Sequence, residues 1–259
     1  MTAGTLADDC PPTHVGSYAC PEALRGYPGA KSGDGVYQLI ISQIPPHDTY
    51  IEPFLGSGAI LRAKKPARCS IAIDSDPMVI GYWQHMQRQA IIPQAAGVAA
   101  LPSANFICRD GIDFLQGYPW RGGELVYADP PYLMETRSCQ RDYYRHEFTE
   151  TDHVHLLAVL KTLVCPVLLS GYWSTLYDDA LQGWHLTTFK TMTHGGPATE
   201  CLWRNFAAPK ALAEYTYLGD GFRERERIKR KKQRWQKRLA AMSPLERAAV
   251  IEAVNDLEK

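Results

Sequence analysis

The sequence predicts an α/β fold built on a mostly parallel sheet. Five short apolar runs alternate with helix-like stretches, and a last pair of runs reads as an antiparallel hairpin. With 259 residues and 45% hydrophobic content, the chain can bury one full core and carry a small appendage.

The first strand is "TYIEPF" (49–54), and "LGSGAI" (55–60) turns from it into a helix. "CSIAID" (69–74) is the second strand. "PMVIGYWQHMQRQA" (77–90) follows as an amphipathic helix with Pro77 in its first turn, where a missing N–H costs nothing. "NFICRD" (105–110) is the third strand, and "IDFLQG" (112–117) is a short helix after it. "ELVYAD" (124–129) is the fourth strand, "ETDHVHLLAVLKTL" (150–163) a helix, and "PVLLS" (166–170) the fifth strand. "TTFKTMT" (187–193) and "ATECLWRN" (198–205) form the closing hairpin. "SPLERAAVIEAV" (243–254) opens on a capping box, Ser243 to Glu246, with Pro244 at its first position, and predicts a short terminal helix.

Composition narrows the classes of function. No apolar run approaches the roughly 18 residues of a membrane span. The start, "MTAGTLADDCPPTH", has neither a basic n-region nor an apolar h-region, so a cytoplasmic protein is expected. Seven scattered cysteines without a CxxC pair fit reduced thiols better than a disulfide framework or a zinc site. Residues 223–238, "RERERIKRKKQRWQKR", hold ten Lys/Arg and two Glu, a charge of +8. The formal net charge is zero, so the remainder is −8. This run reads either as a contact for a polyanion or as a solvated, charge-rich helix.

In a parallel α/β sheet the ligand sits beyond the carboxyl ends of the strands. The residues there are Glu52 to Gly58 (with Phe54 between them), Asp74, Asp110 and the group Asp129, Pro130, Pro131, Tyr132. Gly56 and Gly58 let a turn approach a ligand, but no third glycine and no GK[ST] follows, so this is neither a full dinucleotide fingerprint nor a P-loop. Asp74 ends the next strand, where such folds place an acid on ribose hydroxyls. A nucleoside ligand without a phosphate-binding motif results, and S-adenosylmethionine is one.

"ADPPY" (128–132) ends a buried strand on acceptors. Asp129 only accepts when ionised, Pro130 has no N–H, and Tyr132 offers a flat ring. Acceptors and a ring at one spot suit an exocyclic amine on an aromatic base. With both N–H bonds accepted, the nitrogen lone pair is free to meet an electrophile.

Together "ADPPY" and "EPFLGSGAI" resemble the Dam-like adenine-N6 DNA methyltransferases, especially compact phage and prophage members, over roughly residues 25–206. The resemblance implies a Rossmann-like S-adenosylmethionine-dependent methyltransferase fold. "RGYPGAKSG" (25–33) is similar to the family's N-terminal cofactor segment, which implies Tyr27 packed on the cofactor and Lys31 by its carboxylate. "IDSDP" implies Asp74 on the ribose, and "CRDGIDFL" implies Asp110 near the cofactor's adenine. Glu52, Phe54, Gly56 and Gly58 complete the implied cofactor set. Only 52 residues separate Asp76 from Asp129, so no sizeable target-recognition region fits between them. The expected organisation is an extension over 1–24, a methyltransferase domain over 25–215 and a basic helical tail over 216–259. The expected partner is double-stranded DNA, with single-stranded DNA or RNA as alternatives, no membrane, and a monomer or dimer.

Two further stretches bear on that partner. In the loop "LMETRSCQRDYYRHEF" (133–148), basic and aromatic residues interleave. Arg137, Arg141, Tyr144 and Arg145 are its candidates for phosphate contact and base stacking, beside Lys229, Arg230, Lys231 and Lys232 of the basic run. A catalytically silent nucleic-acid-binding module with the same fold is the rival reading. "HVH" (153–155) does not put its histidines on one helix face, and Cys108 reads as a structural thiol.

Overall fold

The computed structural model describes Lys31 and residues 35–91, 103–137, 145–193 and 196–257. The chain divides into two compact units, one running to Glu214 and one from Tyr215.

In the first unit the elements run α1 (Val36–Ile41), β1 (Thr49–Glu52), α2 (Ala59–Ala63), β2 (Cys69–Asp74), α3 (Pro77–Ile91), β3 (Asn105–Cys108), α4 (Gly111–Gly117), β4 (Glu124–Ala128), α5 (Glu150–Thr162), β5 (Val167–Gly171), α6 (Thr175–Ala180), β6 (His185–Thr193) and β7 (Gly196–Arg204). One seven-stranded sheet has the order β3-β2-β1-β4-β5-β7-β6. The first five strands are parallel, and β7 lies antiparallel between β5 and β6. This is the expected Rossmann-like, mostly parallel sheet with its antiparallel hairpin. The central strands are apolar on both faces because helices cover both: every residue of β4 and β5 is buried.

Strand order reverses between β1 and β4. After β1 the chain steps outward to β2 and β3, then returns to pair β4 against β1, with Ile51 opposite Val126. The loops leaving β1 and β4 therefore diverge and leave a crevice at their carboxyl ends. Helix starts on that side are fixed locally. Asp76 accepts the Met78 N–H (2.8 Å) at the start of α3, and Thr149 with Asp152 forms the capping box of α5.

Two helices are absent from the sequence reading. α1 and α6 have six residues each, too few turns to show a helical period. Their signals are local: Gly35 in a left-handed conformation before α1, and Ser174 accepting the Tyr177 N–H before α6.

The second unit holds α7 (Phe222–Ala241) and α8 (Pro244–Asp256). Ser243 caps α8 by accepting the Glu246 N–H, with Pro244 in its first turn, as the capping box predicts. No described helix is long and apolar enough to cross a membrane.

Candidate active site

A cleft opens at the carboxyl ends of β1, β2 and β4, where a parallel α/β sheet places its ligand. One wall is the turn between β1 and α2. Leu55 N–H donates to the Ile73 carbonyl (2.9 Å), which ties the turn to β2. Gly56 (φ 45°) and Gly58 (φ 57°) both adopt left-handed backbone.

The two glycines do different work. Gly56 lines the cleft. At Gly58 an added Cβ would stand 2.6 Å from Trp83 Cζ2. Trp83, buried on α3, also donates its Nε1–H to the Gly56 carbonyl at 3.1 Å. The expectation that both glycines make room for a ligand is corrected at Gly58, which makes room for the indole under the turn.

Acids line the cleft. Asp74 Oδ2 accepts the Gly56 N–H and Oδ1 accepts the Asp76 N–H, both at 2.9 Å. Burial raises its carboxyl above the usual range, and these two donors oppose the rise. Asp110 caps α4 through Oδ1, which accepts from Ile112 N–H (2.8 Å) and Asp113 N–H (2.9 Å). Glu52, only 2% exposed, accepts the Tyr50 hydroxyl at 2.8 Å. Burial, with Asp129 adding, lifts its pKa to about 8, so it is largely protonated at neutral pH. Phe54 meets Phe148 edge to face, with centroids 5.3 Å apart.

At the far end of the cleft, β4 delivers Asp129. Lys31 Nζ lies 2.8 Å from its Oδ1, 3.7 Å from Glu200 Oε2 and 4.8 Å from the Tyr132 ring centroid. The Tyr132 hydroxyl donates to Glu200 Oε2 at 2.9 Å, and the Thr191 hydroxyl donates to Glu200 Oε1 at 3.2 Å. Tyr172 packs edge-on against Tyr132 at 4.6 Å. Burial raises the Asp129 carboxyl, the Lys31 ammonium beside it opposes this, and Glu200 reinforces it. An acceptor at the end of β4 is thus already engaged by an N–H donor lying over an aromatic ring.

The cleft brings together Lys31, Glu52, Phe54, Gly56, Asp74, Asp110, Asp129 and Pro131. Pro130 and Tyr132 are buried beside it. Tyr27, Arg141 and Tyr144 lie outside the described residues. Arg137 departs from its expected contact with nucleic acid: its side chain, 6% exposed, grips Glu147 with both terminal nitrogens (2.9 and 2.6 Å) and donates Nε–H to the Tyr132 carbonyl at 2.7 Å. It buttresses the Tyr132 backbone. Arg145 is exposed, lines the cleft and lies 3.7 Å from Asp76. Lys229 to Lys232 are exposed on α7. Sequence reasoning missed Trp83 and Glu200. Each meets its partner across a long stretch of chain, and nothing local in either segment marks it.

An acceptor-rich cleft with few cations fits a cationic nucleoside that lacks phosphates. The sequence match says which. Residues 95–194 match the family described as D12 class N6 adenine-specific DNA methyltransferase. That stretch contains β3 to β6 and the whole Asp129–Tyr132 motif, and the methyl donor is S-adenosylmethionine. No curated protein matches the chain. Among solved structures, a candidate methylase of Haemophilus influenzae is similar at 14% identity, over 67% of this chain and 90% of its own, with a TM-score of 0.41. An rRNA methylase of Streptococcus thermophilus is similar at 7% identity, over 65% and 93%, with a TM-score of 0.42. A magnesium protoporphyrin IX methyltransferase of Synechocystis, solved with bound S-adenosylmethionine, is similar at 13% identity, over 66% and 75%, with a TM-score of 0.39.

Proposed function

We propose that this chain methylates the 6-amino nitrogen of adenine in DNA, with the target base flipped out of the duplex. The observation that carries the reading is the half-buried Asp129 carboxylate at the end of β4, its Oδ1 2.8 Å from an ammonium group that lies over the Tyr132 ring. An adenine amine above that ring makes the same two contacts: N–H toward the carboxylate and a planar system on the aromatic face. The amine is paired inside a duplex, so the base must leave the stack to reach it.

In this reading Asp129 and the Pro130 carbonyl accept the two amine hydrogens, and Tyr132 stacks on the base. Accepting both hydrogens directs the nitrogen lone pair toward the cleft. The bound sulfonium supplies an electrophilic methyl group. Asp74 holds ribose hydroxyls, Asp110 lies by the cofactor's adenine, and the Gly56 turn with Phe54 and Glu52 shapes the cradle. Lys31 yields its place at Asp129 to the amine, because both cannot lie over one ring.

Specificity follows from what the chain has to read with. Each good bidentate base contact gives about 1–3 kcal/mol of discrimination, and several are needed for a long site. Between Asp76 and Asp129 there is no spare segment, so recognition falls to the loop at 133–150 and the turn at 193–200. The reading therefore includes relaxed specificity, with a preference confined to one or two bases beside the adenine. The enzyme acts where DNA is accessible in the cytoplasm of a bacterial or phage-infected cell.

The test incubates the full chain with methyl-labelled cofactor and either unmethylated mixed-sequence DNA or RNA, then identifies the modified nucleoside and maps every site. N6-methyladenine in DNA, in many contexts, is the expected result. Label in RNA alone sinks the DNA assignment. Confinement to one motif of four or more fixed bases sinks the relaxed specificity and leaves the chemistry standing.

A further inference from the structure

The basic run forms a helix, and the helix sorts its charges by face. On α7, Arg223, Arg227, Arg230, Arg234 and Lys237 follow one another at spacings of four, three, four and three residues. That interval keeps them on one side of a 3.6-residue helix. All five are exposed, and Phe222, Glu226 and Gln233 lie beside them, Glu226 being the acid of that group. Arg225, Lys229 and Lys232 fall on other faces. Ile228 and Leu239, half-buried, lie on the side away from the stripe.

We propose that this arginine face of α7 is a seat for the phosphate backbone of duplex DNA. The inference rests on the proposed function and adds the surface by which the duplex is held. Four of the five cations are arginines, whose planar fork matches two phosphate oxygens where lysine offers a point charge. From Arg223 to Lys237 the helix rises about 21 Å at about 1.5 Å per residue. That spans roughly two thirds of a duplex turn of about 34 Å. On the stripe Arg227 pairs with Glu224 at 3.2 Å, a contact between two exposed groups that competes weakly with phosphate. A membrane-surface helix needs a broad apolar face opposite its cations. Here Lys232 stands among Ile228, Trp235 and Leu239 on that side, and Phe222 lies apart from them. The stripe lies outside residues 95–194, so the family match does not assign it.

This sharpens the sequence reading of Lys229 to Lys232. Of those four, only Arg230 belongs to the stripe, Lys231 flanks it, and Lys229 and Lys232 face elsewhere.

The test compares two full-chain variants of equal charge change. One is R227Q/R230Q/R234Q on the stripe; the other is R225Q/K229Q/K232Q off it. Affinity for an unmethylated duplex is measured from low to high salt, with far-UV circular dichroism confirming helix content. On the stripe, the slope of log affinity against log salt is expected to flatten by about 2.7, three contacts at about 0.9 each. Off the stripe, the change is expected to stay below one contact. Equal effects from both variants, or none from either, overturn the proposal and leave a solvated helix with diffuse attraction. If the glutamines melt α7, R227K/R230K/R234K keeps the charge and removes the fork; several-fold weaker binding at unchanged slope is expected, and unchanged affinity overturns the proposal. Parallel titrations use single-stranded RNA and anionic phosphatidylserine vesicles. A stripe-dependent loss confined to either of those overturns the duplex assignment. Methylation of DNA by the unaltered chain is scored separately, so a failed stripe and a failed activity are distinguishable.

Discussion

The two ends of the cleft are built in opposite ways. The end proposed for the cofactor is local: β1, the Gly56–Gly58 turn and Asp74 lie within 26 residues, tied by Leu55 to Ile73 and Gly56 to Asp74. The end proposed for the amine is assembled from afar: Lys31, Asp129, Tyr132 and Glu200 come from three separate parts of the chain. A local site is held by the strands and turn that create it. An assembled one depends on buried charges finding each other, and burial makes each charge costly unless paired. Damage at the first end should register in cofactor binding and stability, and damage at the second in turnover.

Asp129→Ala gives the sharpest version of that division. It removes the acceptor held for the amine and leaves the glycine turn untouched. Loss of a charge-assisted hydrogen bond in the transition state is expected to cost about 2–4 kcal/mol, a fall in kcat of roughly 30- to 1,000-fold. Cofactor affinity by calorimetry is expected to stay within a few-fold. A variant that keeps more than a tenth of the rate breaks the assignment.

Gly58→Ala attacks the local end. The new methyl meets Trp83 Cζ2 at 2.6 Å, at a φ of 57° that alanine adopts with strain. Overpacking of this kind costs about 1–3 kcal/mol, read in denaturant unfolding together with weaker cofactor binding. Trp83→Phe in the same background is expected to restore part of the loss by vacating the ring's outer edge. Unchanged stability in the single variant would show that the indole swings aside freely.

The same contrast explains what could be read from the sequence. Strand ends, the glycine turn and the acids after each strand are runs of adjacent residues, so "EPFLGSGAI", "CSIAID" and "ADPPY" expose them directly. Asp110 was legible as a strand-end acid, although its hydrogen bonds show that it also caps α4. Arg137 was misplaced because a loop sequence does not reveal which charge will be buried against Glu147. Glu200 was illegible for the same reason: it joins Tyr132, 68 residues away, only through sheet pairing and the fold of the β6–β7 hairpin. In the basic run, charge was visible at once, while its division into faces required knowing that 222–241 is one uninterrupted helix.

Glu52 tests where the two ends meet, since it lies at the end of β1 and senses Asp129. Its folded pKa, about 8, stands above the ordinary value of 4.5, with burial as the main cause. The folded state therefore binds the proton more tightly than the unfolded chain. Stability from this group is full below about pH 4.5 and declines as pH rises toward about 8, at no more than about 1.4 kcal/mol per pH unit. In Glu52→Gln the contribution is fixed, so the difference in unfolding free energy between variant and parent should grow with pH across that window. A flat difference from pH 5 to 8 would mean that Glu52 ionises normally and the cleft floor is wetter than its burial implies.

Glu200→Gln has the smallest expected effect and probes the assembled end most finely. Glutamine keeps an acceptor for the Tyr132 hydroxyl and removes the charge shared with Lys31, 3.7 Å away. The exchange of a charge-assisted bond for a neutral one is expected to cost about 1 kcal/mol, a fall of several-fold in kcat/KM for DNA at unchanged cofactor affinity. A loss of packing alone would do the same, so the pH profile decides. The Glu200 carboxylate raises the Asp129 pKa by like-charge repulsion, so removing it lets Asp129 ionise at lower pH. Because the ionised form accepts the amine hydrogens, the acid limb of kcat/KM should move to lower pH in the variant. Tyr132→Phe keeps the Glu200 charge but removes a hydroxyl whose hydrogen bond lowers the Asp129 pKa, so it is expected to move that limb the opposite way, to higher pH. If neither variant moves it, Glu200 acts on Tyr132 alone; if both move it in the same direction, the charge does not set the Asp129 titration.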